Sequence, residues 1–210
     1  MELFKSRKKK ETDNISEEPD TPIPFGMKIS WLAIKADNPE SVMDKLGCGD
    51  RKPCNWKSAF AVMFHSQQVF VTPCFDGYVL ILNYDRPANQ MDMERLREFA
   101  AQFEEVQYFS THRVVELCCW VRFTGGKLIR SYYYLGESGE VYWNEGELTS
   151  EEKDLGLTFL PCEDMEEDDW ENVTFPDEDI VDQLADKWGV DPHMGKYQNT
   201  RSAGYLCILK

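Results

Sequence analysis

The chain has 210 residues and a formal charge of −15, with 42% apolar and 13% aromatic side chains. That apolar content excludes a globally disordered chain and allows one large domain with tails. No stretch reaches the roughly 20 consecutive apolar residues needed to cross a bilayer as a helix, so no transmembrane segment is expected.

Residues 1–24 read as a disordered tail. Five of the six residues from Lys5 to Lys10 are basic, and the acidic, proline-rich SEEPDTPIP follows. The basic run has transient contact with anionic lipid or nucleic acid as its alternative reading. No apolar stretch follows it as in a secretory signal, so a cytoplasmic location is expected.

Residues 25–210 read as a single α+β domain. KISWLAIK, Lys28–Lys35, is a strand candidate. Asn38 and Pro39 have the form of an N-cap followed by proline at the first helical position, opening a helix over 39–46 that Gly47 stops. CGDRKPCN, residues 48–55, reads as a loop. Strands are expected at Ala59–Phe64 and Gln68–Thr72. After an Asp76-Gly77 turn, YVLILNY at Tyr78–Tyr84 has the near-continuous apolarity of a strand covered on both faces.

Met93, Leu96, Phe99, Ala100 and Phe103 repeat with helical periodicity, predicting a helix over 91–103. Val106–Phe109 is a strand candidate, and Arg113–Phe123 fits either strand or helix. A meander follows: Gly125-Gly126 turns the chain, Lys127–Leu135 returns, Glu137-Ser138-Gly139 turns again, and Val141–Trp143 pairs back. Across it Arg122 and Arg130 are expected to pair with Glu140 and Glu145.

Thr149 and Glu152 have capping-box spacing over a short helix at 150–155. A loop spans 161–175, a last helix Pro176–Trp188, and Tyr205–Leu209 returns as a strand. The expected fold is therefore a mostly antiparallel sheet with a few flanking helices. Helix 39–46 and helix 91–103 each precede several strands, which raises the expectation of two similar halves.

Charge is the least even property of the chain. Residues 151–191 contain 16 acids and two bases, Lys153 and Lys187, and so carry −14 of the net −15. The densest part is EDMEEDDWE: Glu163, Asp164, Glu166, Glu167, Asp168, Asp169, Trp170 and Glu171. A solvated loop is the plain reading. The functional reading is a docking surface for a basic protein, with Trp170 as an anchor. Calcium is a third reading, against which the absence of EF-hand spacing counts. Direct binding to nucleic acid is not expected of such a surface, because like charges repel.

Chemistry-bearing motifs are sparse. His65, His112 and His193 have no metal-recruiting spacing. The seven cysteines include no Cys-x-x-Cys, so they read as buried thiols, and no cofactor or metal is expected. The most site-like segment is STHRVVE, Ser110–Glu116. In an extended chain His112 and Glu116 share one face, with Arg113 beside them. That set reads either as an acid–base or anion-binding cluster or as buried polar groups satisfying one another. Tyr132, Tyr133, Tyr134, Tyr142 and Trp143 form either a concave ligand-binding face or a half-buried sheet.

At FSTHRVVE and YLGESGEVYWNEGELTSEE the chain resembles a group of uncharacterised bacterial proteins, over roughly residues 27–160. The resemblance carries over no activity and no catalytic positions. Many small proteins of this style accompany secreted toxins as immunity partners, an association by analogy. Three functions stand: an acidic module binding a basic protein, in one form an immunity-type inhibitor of a toxin domain; a hydrolase or transferase around His112, Arg113 and Glu116; and a small-ligand sensor on the Tyr132–Trp143 sheet.

Overall fold

The computed structural model of the chain describes residues 15–83, 92–157, 159 and 175–209. Nine strands form one fully antiparallel sheet in the order β2-β9-β3-β4-β1-β5-β6-β7-β8. The strands are β1 (Ser30–Lys35), β2 (Gly49–Asn55), β3 (Gln68–Phe75), β4 (Tyr78–Leu82), β5 (Glu105–His112), β6 (Leu117–Thr124), β7 (Lys127–Leu135), β8 (Glu140–Glu145) and β9 (Ala203–Ile208). Among the described residues five α-helices flank them: α1 (Pro39–Lys45), α2 (Trp56–Met63), α3 (Met93–Ala100), α4 (Ser150–Asp154) and α5 (Glu178–Lys187). Among the described residues no helix is long and apolar enough to cross a membrane.

Alternation along the strands divides the core in two. On one face Trp31, Phe70, Leu82, Phe109, Trp120 and Leu206 pack beneath α2 and α5. On the other Leu32, Ile34, Val71, Ile81, Tyr108 and Val121 pack beneath α1 and α3. β4 is buried at all five positions, as its unbroken apolarity requires.

Local chemistry explains the ends of the elements. The Asn38 side chain accepts a hydrogen bond from the Ser41 amide at 2.8 Å, with Pro39 in the first turn. The Thr149–Glu152 capping box closes in both directions.

Two segments depart from the sequence reading. Residues 48–55 are strand β2 rather than a loop. β2 is an edge strand paired only with β9, the place where Pro53 is tolerated despite lacking an N–H. Residues 59–63 belong to helix α2 rather than a strand, and Phe64 is its C-cap. Asn55 caps that helix through the Ser58 amide, and Trp56, Ala59 and Met63 fall on one buried stripe. The Asp20 carboxylate also accepts hydrogen bonds from the amides of Trp56 and Lys57, at 2.8 and 3.0 Å.

Asp20 lies in the stretch assigned above to a disordered tail. Residues 15–24 are instead tied to the domain by the Asp20–Ser202 bridge and by the Asn55 amide on the Ser16 carbonyl. The basic run Lys5–Lys10 lies outside the described residues. β5–β8 is a plain meander, whereas two helices interrupt β1–β4 and β9 inserts between β2 and β3. The strand order thus lends no support to two similar halves.

The arginines of the meander form their ion pairs with carboxylates other than those of Glu140 and Glu145. Arg122 pairs with Glu105 at 3.2 Å. Arg130 and Glu152 form an ion pair at 2.8 Å with neither side chain exposed. Glu152 Oε1 also accepts from the Trp120 indole at 2.9 Å, and its Oε2 accepts from the Thr149 amide. One Arg130 nitrogen donates to Asn144 Oδ1 and to the Glu145 carbonyl. One carboxylate therefore caps α4 and fixes that helix to the sheet.

Removing one partner of such a pair strands a buried charge. Arg130→Met should cost roughly 3–5 kcal/mol in urea unfolding. The double variant Arg130→Met/Glu152→Gln, which leaves no lone charge, should recover part of that loss. A single variant as stable as the wild type would contradict this role.

Candidate functional site

A cleft of about 600 Å³ opens between the β5–β6 turn, β7 and the start of α5. Its floor is largely apolar, from Leu117, Cys118, Tyr134, Phe175 and Pro176. Among the described residues its rim carries four carboxylates, Glu116, Asp177, Glu178 and Asp179, and one guanidinium, that of Arg113.

The chain builds each wall locally. Residues 113–116 form a turn, closed by the Val115 amide on the His112 carbonyl at 3.2 Å. Glu116 has φ of +52°, a left-handed conformation that is uncommon outside glycine. It is held there from the β7–β8 turn: the Gly136 amide donates to the Glu116 carbonyl and the Glu137 amide to the Val115 carbonyl. Gly136 must lack a side chain, because a β-carbon there would overlap Glu116.

The acidic wall is the beginning of α5. Asp177 is its N-cap, accepting from the Ile180 amide at 2.8 Å. Glu178 turns back across the cleft edge, and its Oε1 accepts from the backbone amides of Arg113 (3.2 Å) and Lys28 (3.3 Å). Three chain segments are thereby pinned by one carboxylate.

The Cys118 thiol at the floor donates to the Pro176 carbonyl at 3.5 Å. Burial, and then the charges of Asp177, Glu178 and Glu116, push its pKa up to about 12. It is a neutral thiol at physiological pH, the opposite of an activated nucleophile.

The structure treats the sequence candidates unequally. Arg113 and Glu116 both line the cleft, but exposed His112 does not. Pairing His112 with Glu116 assumed an extended chain, and the turn at 113–116 breaks that alternation. Glu163, Asp164, Glu166, Glu167, Asp168, Asp169, Trp170 and Glu171 lie outside the described residues. The meander aromatics do not share one concave face. Tyr132 and Tyr134 belong to the buried core, while Tyr133 clusters with Tyr142 and Trp143 on the opposite face, rings 5.0 and 5.1 Å apart. A bulge between Tyr133 and Tyr134 lets Tyr142 lie beside Tyr133.

Sequence reasoning missed the acidic wall at 177–179. Its signal is an aspartate, Asp177, three residues ahead of the periodic apolar run Ile180, Val181 and Leu184, beside a denser run of acids at 163–171. Among the described residues no group of three or more His, Cys, Asp or Glu side chains could hold a metal ion. Cys48, Cys54, Cys74, Cys118 and Cys207 are free thiols. Comparison of the chain with protein-family models, with curated proteins and with solved structures finds no match.

Loss of the Glu178 carboxylate should free the Arg113 and Lys28 amides. Glu178→Ala is expected to speed hydrogen exchange at those two amides and to cost about 1 kcal/mol of global stability. Unchanged exchange at both would mean the carboxylate is not their acceptor.

Proposed function

We propose that the chain is an intracellular protein-binding module that offers an acidic surface to a basic partner, in the specific form of an immunity-type inhibitor of a toxin domain. The observation that carries this reading is the cleft: an apolar floor with Tyr134 and Phe175, rimmed by four carboxylates and one guanidinium. A basic side chain entering it meets opposite charge at the rim and apolar contact below, the combination interfaces use for anchors.

The wider field agrees in sign. Residues 151–191 carry −14, and of that stretch Glu151 is half-buried while Asp154, Asp177, Asp179 and Asp186 are exposed, with Lys187 beside Asp154. Such a field accelerates encounter with a cation and repels polyanions. A nuclease domain must present cations to phosphates, and an acidic module occludes that surface. The hydrolase or transferase reading gains no support from the cleft, where His112 is absent from the lining and Cys118 is neutral.

The test is capture from the native cell at low salt followed by reconstitution with the purified partner. The partner should be basic, and binding should weaken by about tenfold or more in ~0.5 M salt. Neutralising the wall with Glu116→Gln, Asp177→Asn and Asp179→Asn should weaken it comparably. Retention of no basic protein, or binding indifferent to both salt and the triple variant, would defeat the proposal.

A further inference from the structure

A second cavity, of about 210 Å³, is lined by the Pro24–Ile29 segment, by Phe60 of α2 with Phe64 at its end, by Asp182 of α5 and by His193. Its walls are apolar and largely aromatic: Phe25, Phe60 and Phe64, with Met27 and Ile29 beside them. Two polar side chains reach it, His193 and Asp182. Asp182 is 3% exposed, and its Oδ1 is buried with no hydrogen-bond partner.

A buried carboxylate without donors is costly, and folded proteins rarely leave one so. Here the arrangement is enforced. Gly26, at φ +120°, passes so close that a β-carbon would overlap the Asp182 carboxylate. The backbone has made room for this group while supplying it with no donor. The neighbouring N-terminal turn of α5 uses its acids on amides, but Asp182, one turn further along, is left facing the cavity.

We propose that this cavity is a binding site for a small primary ammonium carrying a ring-sized apolar body. The ammonium offers its charge and its N–H donors to the side of the Asp182 carboxylate that lines the cavity, and faces the phenylalanine rings, which attract cations. The body fills the apolar remainder. A dry cavity of about 150 Å³ holds benzene, so this one has space for a ring and a short amine arm. Anions are disfavoured, because Glu178, Asp179 and Asp191 add negative potential around Asp182, against the opposing charge of His193.

Burial, the largest effect, together with those three carboxylates pushes Asp182 up to about 7 from an ordinary 3.8, against the favourable charge of His193. The unfolded chain therefore ionises Asp182 well below the pH at which the folded chain does. The penalty for folding is absent below pH about 4, grows as pH rises, and is complete above about 7. An ammonium in the cavity favours the ionised form, so its binding should strengthen as pH rises through about 7.

The probe is phenethylamine, titrated by calorimetry into the full chain at pH 6 and pH 8, with phenylacetate as the isosteric anion. Saturable binding of the amine is expected, tighter at pH 8, with none of the anion. Asp182→Asn should weaken the amine by about tenfold or more, and Phe64→Trp, which fills the cavity without touching the charge, should do likewise. Asp182→Asn should also be more thermally stable than the wild type at pH 8 and equal to it at pH 4, which shows that the variant folds. Phenylacetate binding as well as the amine, amine affinity unchanged by Asp182→Asn, or no saturable amine binding at millimolar concentration would each overturn the proposal.

Discussion

One row of side chains across the sheet holds helix α5 in place. Cross-strand register aligns Leu206, Phe70, Leu82, Trp31, Phe109, Trp120 and Tyr132 on one face. Trp31 stacks on Phe109 at 5.1 Å, and Trp120 lies 4.7 Å from Tyr132. Such pairs add to the burial of large apolar area. The row demands an apolar cover, and the −14 segment provides it. Val181, Leu184, Ala185, Trp188 and Val190 pack in the same core, with the Trp188 ring 5.5 Å from Phe109. The acids of α5 other than Asp182 are thereby directed away from the sheet.

Charge on a fixed surface acts differently from charge on a tail. A tail of like charges spreads and is screened by salt. On α5 the carboxylates hold positions, and Glu178 uses its own to join the β5–β6 turn and the Lys28 segment. The cleft is lined by Asp177, Glu178 and Asp179 and the second cavity by Asp182. Both are bounded by α5, so whatever displaces the helix alters both. The buried Arg130–Glu152 pair secures the other end of the acidic segment by fastening α4 beneath Trp120.

Much of this was readable from residue order. Period-two and period-3.6 patterns, caps at Asn38 and Thr149, and the Asp76-Gly77 and Gly125-Gly126 turns place most elements. The failures have physical causes. AFAVMF in α2 is apolar at successive positions, so its period is hidden, and Asn55 as its cap stood in a segment read as loop. β2 is polar and holds a proline because it is an edge, and its partner β9 comes from the far end of the chain. Long-range pairing of that kind leaves no local trace. The cleft was half visible: Arg113 and Glu116 stood out as polar residues between apolar strands, but the turn that joins them to α5 was not. Asp182 was invisible, since an aspartate within an acidic helix reads as solvated until the fold buries it.

The account turns on α5 being clamped to the aromatic row while the sheet stays folded. Hydrogen exchange resolved at single amides measures that directly. The amides of Val181 to Lys187 should exchange as slowly as those of β5, through the same global opening. Exchange of these amides many times faster than β5, with the sheet intact, would show the acids riding on a loose segment and would contradict the account.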